Sequence, residues 1–199
     1  MDYTTLCGDK SVAGSIGNWV NDSRIPSFAD ALINEAMNNI FMQLRHWRMQ
    51  TPLLAQTFAQ GDSMVAVPSD FIEPALLVYT GSQKARMQLV TIEELAALIT
   101  YDENGNRQTG QPLNFAMAGG YLQLDLVTDK AYNWLMSYYQ RPAALSDSNP
   151  TNWLTQLSPR LVRSAILAAA TECTKVNGHG PSDRTYWTVV FQQQVQAAQ

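Results

Sequence analysis

The stretch IPSFADALINEAMNNIFMQLRHWRM, residues 25–49, decides how the rest of the chain is read. From Pro26 to Trp47, the apolar residues Ala29, Ile33, Met37, Ile40, Leu44 and Trp47 recur at spacings of three and four. That spacing is one continuous seam on a helix. Ser27 stands as its N-cap, with Asp30 three residues later as in a capping box. A helix of this extent is roughly 30 Å long at about 1.5 Å per residue. Its seam needs other helices to be buried, so the fold is expected to be arranged around it.

Working outward, a second segment repeats the spacing near the other end. Pro159 opens it at the first helical position, where a missing N–H costs nothing. Val162, Ile166, Ala169, Cys173 and Val176 form its seam, Ala168–Ala170 let a partner helix approach closely, and Gly178-His179-Gly180-Pro181 ends it. A shorter helix is expected over Ser11–Val20, although Gly14 and Gly17 weaken it. Ser182 caps a last helix running toward Gln199.

Between the two long segments the pattern is that of strands. Thr51–Phe58 reads as extended, Met64–Val67 as a short strand, Pro68–Phe71 as one helical turn, and Ala75–Tyr79 and Ala85–Val90 as strands about a Gly81-Ser82 turn. Thr91 and Glu94 make a capping box for a short helix with Leu95, Leu98 and Ile99 on its apolar side. Asp102–Gln111 is polar, contains Gly and reads as an exposed loop. Leu113, Phe115 and Met117 alternate before Gly119-Gly120, and Leu122, Leu124 and Leu126 alternate after it. This is a β-hairpin. Tyr132–Gln140 is expected to complete a meander with that hairpin, its Trp134, Tyr138 and Tyr139 anchoring the sheet on the helices. Arg141–Asn149 is a linker, and Pro150–Leu157 a short turn of helix.

The expected fold is therefore α+β: a helical bundle of two long and several short helices, with a β-sheet insertion between the long ones. It is expected as a single domain over 1–199. Residues 11–48 and 150–177 form the bundle, 51–140 the β-rich insertion, and 182–199 a C-terminal arm.

Composition narrows the function. The chain has 199 residues, of which 46% are hydrophobic, enough for a core. Only 15% are charged, against about 25% typically. Gln, Asn, Ser and Thr take their place, and such a surface desolvates readily, which suits protein–protein contact. A net charge of −4, with no basic run, argues against holding nucleic acid through its phosphates. No apolar run approaches the ~20 residues of a membrane span, and MDYTTLCGDK lacks the marks of a secretory signal.

No reactive constellation emerges. The two cysteines, Cys7 and Cys173, and the two histidines, His46 and His179, have no metal-ligand spacing. Cys173 reads as a buried apolar residue. Glu93-Glu94 sit in a helix's first turn, where the dipole favours negative charge. Asp102-Glu103 sit in a loop, a poor place to preorganise catalysis. Catalytic, metal and cofactor sites are all expected to be absent. The C-terminal arm differs. Tyr186, Trp187, Val190 and Phe191 give it an apolar side, five of its last eight residues are Gln, and no charge follows Arg184. It reads either as a packed terminal helix or as an amphipathic helix that docks in a partner's groove.

Several landmarks together resemble the head-to-tail adaptor (connector) proteins of tailed bacteriophages. One is the helix with IPSFADALINEAMNNIFMQLR. Another is VAVPSDFIEPALLVY, with Pro68, Asp70, Phe71 and Glu73. A third is FAMAGGYLQLD followed by WLMSYYQRPAALSDSNPTNWLTQLSPRLV, with Tyr138, Tyr139, Pro142, Leu145, Ser146, Asn152, Trp153, Leu154 and Pro159. An aromatic-rich end completes the order. The similarity covers Ser11–Gln199 and fits least well at Cys7-Gly8. It implies a structural virion protein of the neck, made in the host bacterial cytoplasm. Such adaptors form a ring, usually a dodecamer, that links the portal to tail or nozzle proteins and leaves a channel for genome packaging and ejection. DNA passes without specific binding, and no membrane is involved. On this reading Tyr186, Trp187, Val190, Phe191 and Gln194 are the portal-binding residues. The alternatives are another neck component, a stopper or tail-completion protein on the tail side, or a small phage enzyme using Asp102, Glu103 and His179.

Overall fold

The computed structural model describes residues 1–80, 85–173 and 181–198, with backbone alone at 172–173 and 181–185. Two compact units are formed: Met1–His46 with Pro142–Gln199, and Trp47–Arg141.

The first unit is helical, with α1 (Tyr3–Leu6), α2 (Ile16–Val20), α3 (Ala29–Gln43), α5 (Trp153–Leu157), α6 (Pro159–Cys173) and α7 (Pro181–Ala198). The expected seam is buried at Ala29, Ile33, Met37, Ile40 and Leu44, but Trp47 is 66% exposed. The helix stops early because Leu44 turns extended, at φ −87° and ψ 131°. The Arg45 guanidinium then folds back and donates to the Phe41 carbonyl at 2.8 Å and to the Leu44 carbonyl at 3.0 Å. A cation here satisfies carbonyls that the ended helix leaves open. Ser27 is not the N-cap. Its hydroxyl donates to the Arg24 carbonyl within a 3-10 turn, and Phe28 takes the cap position without a side-chain bond.

The centre of this unit is α6 rather than α3. It packs against α2, α3, α5 and α7. Leu161, Val162, Ser164, Ala165, Ile166, Leu167, Ala169 and Ala170 are all buried, so it is covered nearly all round. Small side chains let several helices approach one axis. The helix is introduced by α5, capped reciprocally by Asn152 and Thr155. The expected turn at 178–180 and the seam residue Val176 lie outside the described residues.

The second unit carries β1 (Leu54–Phe58), β2 (Met64–Ala66), β3 (Phe71–Tyr79), β4 (Gln88–Leu89), β5 (Thr109–Gly110), β6 (Asn114–Ala118), β7 (Tyr121–Leu124), β8 (Val127–Thr128) and β9 (Tyr132–Gln140), with α4 (Ile92–Leu98). The strand orders are β1-β9-β3, β2-β7-β6-β4 and β5-β8. The hairpin forms as expected. Gly119 and Gly120, at φ 59° and 82°, make the two-residue turn with Ala118 opposite Tyr121. The strand β9 does not extend it. It runs antiparallel between β1 and β3 as the middle of the other sheet. Pro74 is tolerated in β3 because that strand lies at a sheet edge and its register shifts there. Phe58, Leu77, Trp134, Met136 and Tyr138 from one sheet meet Phe115, Leu122 and Leu124 from the other in one buried cluster. Trp134 stacks on Phe58 with ring centroids 4.5 Å apart. The aromatic residues thus close a core between two sheets.

The expected bundle with one inserted sheet is therefore not the fold. The chain is a mixed α/β protein with nine strands in three sheets and seven α-helices among the described residues. The helices are short: α3 and α6 have 15 residues each and α7 has 18. Alternation specifies that a strand exists and which faces it has. It does not specify the partner, which is chosen by long-range pairing.

Candidate docking surfaces

The terminal helix α7 carries the residues of the expected arm, and it packs on α6. At 3.6 residues per turn its side chains divide into three faces. Phe191 and Val195, four apart, are buried at 5% and 3% exposure. Trp187, Val190 and Gln194 are half-buried and line a groove of about 310 Å³ with Arg160, Arg163 and Ser164 of α6. Tyr186, Val189, Gln193 and Gln196 face outward, with Tyr186 60% and Val189 48% exposed. The sequence placed Tyr186, Trp187, Val190, Phe191 and Gln194 on one surface; the structure spreads them over all three. Val189 was missed, although its i, i+3 spacing from Tyr186 is the signal that finds it.

The groove is electropositive. From Trp153 to Thr171 the only charged residues are Arg160 and Arg163, and both are exposed. The Arg163 guanidinium lies 4.9 Å from the Trp19 ring centroid, a cation–π contact that orients it. Ser164 is buried and donates to the Leu161 carbonyl.

A second surface lies on α4. The capping box is present: Thr91 N donates to the Glu94 carboxylate at 2.8 Å, and Glu94 N to the Thr91 hydroxyl at 3.2 Å. The helix is held down by Leu95, its one buried residue, while Ile92, Glu93, Ala96, Ala97 and Leu98 are exposed. Beyond it the expected loop is ordered by its own acid. Asp102 accepts from the Asn104 and Asn106 amides at 2.9 and 2.8 Å, and the latter foremost holds its carboxyl below the ordinary range. Those bonds account for Asp102 without any reaction.

The remaining candidates are not brought together. His46 stacks on Trp153, with centroids 5.0 Å apart. Cys7 is half-buried, and burial pushes its thiol upward. His179 and the Cys173 side chain lie outside the described residues. Among the described residues no group of three His, Cys, Asp or Glu could hold a metal ion. No described helix is long and apolar enough to cross a membrane. A cavity of about 470 Å³ opens between β3 and β4, lined by Leu77, Met87, Leu89 and Phe115, with Arg86 the one charged residue on its wall.

Exposed apolar side chains on α4 and α7, beside carboxylates that the backbone already engages, are surfaces suited to docking. The chain belongs to the SU10 adaptor protein family, whose profile matches residues 1–199. It is a family of phage head–tail adaptors. No curated protein matches the chain. The protein is thus a structural phage adaptor of the virion neck, from a family that is not one of enzymes, and it associates with other neck or tail components.

Proposed function

We propose that the chain assembles into a ring, twelve-fold as is usual for such adaptors, which joins the portal to tail or nozzle proteins and leaves a channel for the genome. It is made in the host cytoplasm and joins the neck as the particle is completed. The observation that carries the portal contact is the outward face of α7. Tyr186 and Val189 stand exposed there above Gln193 and Gln196, with no charge to desolvate. A Tyr anchor in a neutral polar surround suits a protein interface. The net charge of −4 suits passage of DNA without adhesion.

The test is electron microscopy of the chain mixed with the portal from the same genome. An extra tier on the portal is expected, and Tyr186→Ala with Val189→Ser is expected to weaken it. Removing all of 182–199 is a poorer test, because it strips Phe191 and Val195 from α6. Bare portals at micromolar protein would move the contact to the tail side, as for a stopper or tail-completion protein.

A further inference from the structure

We infer that α4 of one copy seats in the α6/α7 groove of the next, so that the contact between copies is heterologous. This rests on the ring reading and names the surfaces that would close it. The two surfaces complement each other. On the side next to Glu93 the helix offers Ile92 at 41% exposure, with Ala96 one turn on and small enough for close approach; Leu98 lies on the other side of the buried Leu95. The groove offers Trp187 and Val190. The helix carries Glu93 beside the capping Glu94, and its following loop Asp102 and Glu103 with one cation, Arg107, which donates back to the Leu124 carbonyl, while the groove's rim carries Arg160 and Arg163. Among the described residues neither Glu93 nor Arg160 makes an ion pair within its own unit.

An amphipathic helix laid in an apolar groove is a recurrent mode of recognition. Opposite charge on its two sides fixes partner and register more than it adds affinity. Each copy has one helix of this kind and one groove, in different units of the chain. Joining them adds copies head to tail, and a fixed rotation closes the series into a ring. A helix of 7 residues is about 10 Å long. It buries far less than the roughly 1,000 Å² of a stable interface. The contact is weak between two free copies and accumulates when a template holds many.

The experiment mixes two single-cysteine additions made on separate chains, Ala96→Cys and Gln194→Cys, under mild oxidation with and without the portal. Mass spectrometry reads the linked peptides. The expected result is a 96–194 disulfide at least about tenfold more abundant than the link from a control pair, Gln56→Cys with Gln194→Cys. Arg160→Glu should reduce it about tenfold, and Glu93→Arg on the partner chain should restore most of it, as reciprocal charges at one contact require. Rings on the portal without the 96–194 link would overturn this contact and leave the ring reading standing. Absence of both the rings and the link would sink both.

Discussion

Substituting Gly17 by Ala separates what the sequence suggests from what the structure demands. Gly17 lies inside α2, where Ala is ordinarily preferred by about 0.5–1 kcal/mol. On sequence alone the variant should be more stable. In the structure, a Cβ at Gly17 would sit 3.0 Å from Lys10 N and 3.1 Å from both the Asp22 carbonyl oxygen and the Asp9 carbonyl carbon. All three are backbone atoms, and each is tied down. Ser15 Oγ donates to the Asp9 carbonyl at 2.6 Å, and Asn18 Nδ2 to the Lys10 carbonyl at 2.9 Å. The Asp22 amide donates to the Gly17 carbonyl itself at 3.1 Å. Overpacking against atoms that cannot turn away costs about 1–3 kcal/mol. The net expectation is a loss of about 0.5–2 kcal/mol, or roughly 2–6 °C in Tm for a chain of this size. Thermal unfolding followed by circular dichroism at the helical band reads it. Asn38→Ala, at an exposed position of α3, is the control and should gain about 0.5 kcal/mol. A Gly17→Ala variant that melts higher, as the control does, would refute the close-approach argument.

Further outcomes follow from single contacts. Trp134→Ala removes the ring stacked on Phe58 in the inter-sheet core and should cost about 3–5 kcal/mol, measured by urea denaturation. Leu95→Ala removes the one buried residue of α4; hydrogen exchange at 92–98 should rise steeply while β7 and β9 stay protected. Asp22 is held down at about 2, chiefly by the Arg24 guanidinium, which donates to it at 2.7 Å. A carboxyl depressed in the folded state contributes stability above its ordinary value near 4 and loses it as pH falls toward 2. The urea midpoint should therefore drop between pH 5 and pH 2.5, and Asp22→Asn should drop less across that window. Gly120→Val forces a β-branched residue to φ 82° in the hairpin turn and should cost at least about 1–2 kcal/mol by the same denaturation assay.

The patterns that were legible in the sequence are the local ones. The Thr91–Glu94 box, the Gly119-Gly120 turn, Pro159 at the head of α6 and the burial of Ala29, Ile33, Met37, Ile40 and Leu44 all depend on neighbours within a few residues. The errors lie in the capping of α3, at Ser27 and Leu44, and where a distant partner decides. Trp47 continues the helical spacing, yet the chain has already turned at Leu44, and Arg45 caps the end by reaching back to Phe41. Phe191 belongs to the same apolar run as Tyr186, yet it faces α6 and its neighbour in sequence pattern faces out.

By itself, then, the sequence indicated the main helices and strands, the hairpin turn at Gly119-Gly120, the low share of charge and, through ordered landmarks, the adaptor resemblance, while the shortness of α2, the start of β3 at Phe71 and the strand β5 within the expected loop were not read from it. Each is set by backbone preference and side-chain spacing along one segment. Only the tertiary structure decided that α6 rather than α3 is the hub, that β9 joins β1 and β3, that three sheets form in place of one, and that α7 has three faces. These depend on which apolar surfaces meet. Many pairings satisfy the same local periodicity, and only the packing of the whole unit, with every strand edge and helix face competing for burial, chooses among them.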